Sequence, residues 1–222
     1  MLLFSIFDSP NRTKARWGQM ALSGVITSLA LCIAMSVLPA NISAEDGPPE
    51  QLPEWSITPA EAALLAPRVD GEWFSIQPPK GFERADLGDT EAFTQAGIKV
   101  AVWSHEADVA LHPAISIMEL PKLKSEIQSD QAFLKGMLDS LQARWPIAVC
   151  TPIKHGQWNG RRALRFEFSA TTNDDAAVEG IVVANVGDFP TFVVSAMHIK
   201  DPAGNSESLT ALTNSAISCR KK

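Results

Sequence analysis

The dipeptide Asn159-Gly160 constrains this chain more than any other feature, because an alternating run from Arg161 to Phe168 follows it directly. A two-residue hairpin loop of type I′ needs positive φ at both central positions, and Asn followed by Gly is the pair that supplies it. The chain therefore turns back there, with Gln157-Trp158 pairing onto Arg161-Arg162. Beyond the turn, Leu164, Phe166 and Phe168 fall on one face of a strand and Ala163, Arg165 and Glu167 on the other. Asn173-Asp174-Asp175 then reverses the chain into residues 178–186, and Gly187-Asp188 reverses it again into residues 191–199. Short connections between successive strands require an antiparallel meander.

The last two strands are apolar on both faces. Val182, Ala184 and Val186 oppose Ile181 and Val183, while Val193 and Met197 oppose Phe192, Val194 and Ala196. Such strands lie centrally and are covered on both sides. Upstream, residues 73–76, 99–104 and 114–120 read as further strands. Leu134, Met137, Leu138, Leu141 and Trp145 recur at helical spacing after a capping-box spacing at Ser125 to Gln128, and Pro146 ends that helix. A final helix starts near Asn205-Ser206 and carries Leu209, Leu212 and Ala216 on one face, with Cys219 one turn on. The expected fold class is α+β, a central antiparallel sheet flanked by helices.

The first forty-odd residues stand outside that core. Arg12, Lys14 and Arg16 precede an apolar run from Met20 to Leu38, and small residues follow up to Ala44. This is the pattern of a secretory signal, residues 1–44, with cleavage after Ala44. The alternative is an uncleaved membrane anchor over residues 17–38. Leu31 before Cys32 does not suit a lipobox. Residues 45–71 carry Pro48, Pro49, Pro53, Pro59 and Pro67 and read as a tether, with one capped turn at Thr58-Pro59-Ala60-Glu61. The folded domain is expected over residues 72–222. An exported chain is periplasmic or extracellular.

Formal charge argues against one reading of the hairpin. Arg161, Arg162 and Arg165 beside Trp158, Phe166 and Phe168 resemble a single-strand nucleic-acid surface. The whole chain, however, carries a net charge of −6, and residues 1–44 hold three of its cations and a single carboxylate, so the exported part is more acidic still. Affinity for nucleic acid comes chiefly from neutralising phosphate, so no nucleic-acid partner is expected.

The order of elements and two short motifs resemble the PsbP/DcrB-like superfamily of extracytoplasmic domains. Trp73-Phe74-Ser75-Ile76-Gln77-Pro78-Pro79-Lys80-Gly81-Phe82 is similar to that family's F-x-I-x-x-P-x-G-F/W opening. Asn159-Gly160-Arg161-Arg162-Ala163 resembles its x-G-x-x-A hairpin before a long strand, and the resemblance spans about residues 72–220. It implies a sheet sandwiched between helices, and an accessory or binding role without a shared catalytic set.

Reactive residues give few patterns. Cys150 and Cys219 are the two cysteines beyond the leader, and an even count in an oxidising compartment suggests a disulfide. Closing a loop of that size would stabilise the fold by about 4 kcal/mol less any strain. His105, Asp108 and His112 offer a loop metal site, but the spacing departs from His-Glu-x-x-His and Pro113 follows, so a solvated loop competes with it. His198 reads as a core or edge histidine and His155 as exposed. Asn173-Asp174-Asp175 fits a turn better than a calcium loop. No G-x-S-x-G or phosphate-binding glycine loop occurs. Catalytic residues and cofactors are therefore not assigned, and a hydrolase would require a triad assembled in space. Trp103 and Trp145 are expected in the core, whereas Trp158, Arg161 and Arg162 at the turn are the expected contacts for a protein or envelope partner.

Overall fold

The computed structural model describes residues 52–87, 90–105, 114–121, 129–172, 175–187, 190–200 and 207–222. In chain order its elements are α1 (Pro59–Ala62), β1 (Val69–Asp70), β2 (Phe74–Ile76), β3 (Glu83–Arg84), α2 (Glu91–Gln95), β4 (Lys99–Ser104) and β5 (Ala114–Leu120). There follow α3 (Asp130–Arg144), β6 (Ala148–Cys150), β7 (Lys154–Trp158), β8 (Arg161–Thr171), β9 (Ala177–Asn185), β10 (Thr191–Ile199), α4 (Glu207–Ser218) and β11 (Arg220–Lys221).

The main sheet has the order β3-β4-β5-β10-β9-β8-β6, with β7 also paired to β8, and every pairing is antiparallel. Asn159 and Gly160 have φ of 58° and 67°, so the turn between β7 and β8 is built as the sequence requires. Trp158 pairs with Arg161 and Gln157 with Arg162. The buried Asn185 side chain donates to the carbonyls of Trp158 and Arg162, both at 3.1 Å, and ties the hairpin to β9.

Alternation along the strands makes two cores. One face gathers Leu164, Phe166, Phe168, Val182, Ala184 and Val193 under α3, which contributes Phe133, Met137, Leu141 and Trp145. Ser129 caps α3, its side chain accepting from the Ala132 N–H at 3.1 Å. The upstream spacing at Ser125 lies outside the described residues. The opposite face gathers Trp103, Ala163, Ile181, Val183, Phe192, Val194 and Ala196 with Leu212, Ala216 and Cys219. A small sheet of order β1-β2-β11 closes this second core, with Phe74 and Ile76 pointing in. The fold is thus an antiparallel sheet with helices on both faces.

Residues 52–71 lie against the domain. Thr58 and Glu61 form the capping box read from the sequence. Upstream of it, the Trp55 N–H donates to the Gln157 carbonyl and the Gln157 N–H to the Pro53 carbonyl, both at 2.8 Å, in a parallel bridge on the outer edge of β7. Downstream, Leu65 is buried and bridges to Pro79. The five prolines do break long elements. They leave Trp55 and Leu65 free to bury apolar surface, and that holds the segment down. Gly156 makes room for the Trp55 ring: a Cβ there would stand 2.6 Å from both Cζ2 and Nε1 of the indole. Gly156→Ala is expected to displace Trp55 while the sheet persists. Faster hydrogen exchange at the Trp55 amide, with unchanged protection in β8 and β9, would record that outcome.

Candidate binding cleft beside strand β6

Two of the residues expected at a partner surface behave differently from that expectation. Trp158 is fully buried. Its indole N–H donates to the Ile217 carbonyl at 3.0 Å, and its ring stacks on Phe192 at 5.4 Å between centroids. Although next to a turn, Trp158 projects onto the face that α4 covers, where its apolar area and its N–H are both satisfied. Arg162 is exposed but spans the surface to Asp130, the first residue of α3, through both guanidinium nitrogens. His155 Nδ1 lies 3.4 Å from the same carboxylate. Arg161 is exposed. This end of the hairpin is fastened to a helix start, where a carboxylate is favourable.

Cys150 and Cys219 do not form the expected bridge; both are free. Cys150 packs at the margin of the α3 core, whereas Cys219 is buried in the α4 core. The sheet lies between them, and no side-chain rotation carries a thiol through it. Burial pushes the Cys150 thiol up to about 11 and that of Cys219 higher. Neither is activated for redox chemistry. Protein purified without reductant is expected to yield both thiols to an alkylating reagent after unfolding, and only slow reaction before it; mass mapping reads the result.

Of the metal-loop residues, Asp108 and His112 lie outside the described residues. His105 stands beside Gly81 and against the Phe82 ring, 5.9 Å between centroids. Among the described residues, no group of three His, Cys, Asp or Glu side chains could hold a metal ion.

The concave feature near exposed apolar surface lies elsewhere. Strand register places Val149, Ser169, Glu179 and His198 in one row across β6, β8, β9 and β10, on the α4 face. Thr151 and Glu167 form the beginning of the next row, the Thr151 N–H donating to the Glu167 carbonyl at 2.9 Å. Leu209 of α4 overhangs these rows, and the space enclosed is a cleft of about 300 Å³. The backbone of Phe168 and Gly180 contributes to its floor, the Phe168 ring itself packing into the α3 core. Val149, which lines the cleft, and Ile147 just outside it are 60% and 71% exposed, side by side on one face of the edge.

Charge at the cleft is arranged in layers. Glu179 takes Lys200 at 2.6 Å, while the buried His198 sits behind it with Nε2 at 3.9 Å. That nitrogen has no hydrogen-bond partner among the described residues. Burial holds the His198 imidazole below its ordinary value, with Glu179 acting in the opposite direction. Glu167 holds Arg165 at 3.4 Å and Lys154 at 3.9 Å. These contacts are long, so the half-exposed carboxylate at the mouth keeps capacity for another donor.

The His198 shift has a sign that can be measured. The folded pKa lies below the ordinary 6.5, so as pH falls through that value the unfolded chain binds a proton that the folded chain does not. Stability contributed by the neutral ring is complete above the unfolded pKa and declines as pH falls toward the folded one. His198→Gln is expected to lose less stability than the parent between about pH 7.5 and 5.5, measured by urea unfolding. Equal losses would contradict a depressed imidazole.

Sequence reasoning missed this site. A signal was present: the β-branched and small residues Ile147-Ala148-Val149-Cys150-Thr151 sit between Pro146 and Pro152, the punctuation of a short edge strand. Glu179 and Leu209 come from later elements that only the register unites with it.

No family model and no curated protein matches this chain. Among solved structures, a cyanobacterial PsbP (CyanoP) from Synechocystis is similar at 15% identity and a TM-score of 0.49, over 72% of this chain and 94% of that one. It represents the family that the sequence motifs resemble. LpqN of Mycobacterium tuberculosis, described as involved in cell envelope biogenesis, is similar at 13% identity and a TM-score of 0.41, over 70% of this chain and 90% of that one. A Bacteroides thetaiotaomicron protein matches at 9% identity and a TM-score of 0.39, over 68% of this chain and 45% of that one. No helix among the described residues is long and apolar enough to cross a membrane.

Proposed function

We propose that this is an exported accessory protein that acts noncatalytically, by holding a protein of the cell envelope. The observation that carries the reading is the pairing of exposed Ile147 and Val149 with the cleft that Val149 itself lines. Large aliphatic side chains that stand together beside a concavity exclude water poorly until something covers them. The leader-like residues 1–44 supply the route out of the cytoplasm.

A photocrosslinking residue at position 147 or 149 of the full chain, expressed in its own envelope, tests this. Crosslinks to one protein species from both positions, and not from the exposed Leu64, are the expected result. Equal crosslinking from Leu64, or none from 147 and 149, would remove the interface from β6.

A further inference from the structure

We infer that the partner is captured as an extended strand added to the free edge of β6, carrying a basic side chain that reaches Glu167. This rests on the reading above and gives it a chemistry. The backbone of β6 decides what the edge can accept. Ile147 accepts from the Thr171 N–H at 3.3 Å and Thr151 donates to Glu167, so these residues, with Val149 between them, face β8. Backbone direction alternates along a strand, and Ala148 and Cys150 therefore turn their N–H and C=O groups away from the sheet. Gln142 Nε2 already donates to the outward Ala148 carbonyl at 3.1 Å. Among the described residues nothing pairs with the N–H and C=O of Cys150 or the N–H of Ala148, one complete donor–acceptor pair and one extra donor.

The chain itself shows this mode of pairing on the adjoining edge. β6 and β7 lie along the same side of β8, and the outer edge of β7 is covered by Pro53–Trp55 through two backbone bonds. Its own segment thus occupies one half of this composite edge and, among the described residues, the β6 half is open. Pro146 and Pro152 bracket the open half, so a long strand cannot zip along it. A short one can, and edge addition gains affinity from main-chain bonds and selectivity from alternate side chains.

Those side chains meet a defined surface. A strand beside β6 presents every second residue to the α4 face, over Val149 and into the cleft below Leu209. Val149 and Leu209 give the cleft apolar walls, and the mouth carries the loosely paired Glu167. An aliphatic stem ending in a cation satisfies both. A second copy of the chain suits the edge less well, since each copy carries a net charge of −6 and would bring the same carboxylate to the seam.

A short peptide of alternating valine and threonine, with one lysine on the valine face, is the probe, titrated into the isotope-labelled protein. Amide shifts at residues 147–151, 179–180 and 209 are expected to saturate with Kd below about 1 mM. N-methylation of the residue opposite Cys150 removes a backbone donor and is expected to weaken binding about tenfold. Replacing the lysine by glutamate weakens it as well, and Glu167→Gln reduces that difference. Shifts that ignore N-methylation, shifts absent from 147–151, or concentration-dependent shifts without peptide would each overturn strand capture. If the peptide fails while crosslinks from position 147 persist, the partner interface stands and only its strand chemistry falls. Failure of both removes the interface too.

Discussion

Trp158→Ala lowers the unfolding free energy by about 3–5 kcal/mol, the usual cost of removing a large aromatic ring from a packed core. The position combines three losses. The cavity opens between β7, Phe192 and α4; the stacking on Phe192 disappears; and the Ile217 carbonyl near the end of α4 loses its indole donor. Trp158→Phe keeps most of the apolar volume and loses the donor, so it is expected to cost less than half as much. Urea unfolding of the two variants separates packing from hydrogen bonding. A surface role for Trp158 would instead leave stability unchanged.

Gly180→Val is the second large effect. Gly180 lies in β9 opposite Phe168 on one side and Met197 on the other. A Cβ there would stand 2.5 Å from Phe168 Cε1 and 2.6 Å from the Ala196 carbonyl oxygen. The phenyl ring can swing, but a backbone carbonyl in the neighbouring central strand cannot. Overpacking of this kind costs about 3 kcal/mol at its upper range. The branched Val adds to the clash, so Gly180→Ala is expected to lie between parent and Val in thermal midpoint. The added Cβ points at the Phe168 ring in the α3 core and away from the cleft, so the effect is read in stability.

Much of the architecture is legible in short-range pattern. Asn159-Gly160 dictates its own turn, since few other pairs tolerate φ of 58° and 67° in succession. Leu164, Phe166 and Phe168 declare one face of β8, and the doubly apolar runs in β9 and β10 declare the centre of the sheet. These features depend on periodicity within one strand, which sequence displays directly.

What escaped depends on which elements lie on which face. Trp158 sits beside a turn, where exposure is the ordinary expectation, and its burial is caused by α4, about fifty residues later. The parity of Cys150 and Cys219 says nothing about the sheet standing between them. Trp55 belongs to a proline-rich stretch whose composition suits a free tether, yet its ring over Gly156, the buried Leu65 and two backbone bonds to Gln157 dock it. The cleft is the extreme case, because Val149, Glu179 and Leu209 become neighbours only through the register of three strands and the placement of a helix.

A partner held at the β6 edge should bind less tightly when that edge gains a charge. With the crosslinked partner purified, its Kd is measured for the parent chain and for Val149→Asp, alongside the thermal midpoint of each. Val149 is exposed, so the substitution is expected to leave the midpoint nearly unchanged. A carboxylate set over the apolar cleft beside Glu167 is expected to raise Kd tenfold or more, about 1.4 kcal/mol. An unchanged Kd with a folded variant would contradict a partner surface at β6.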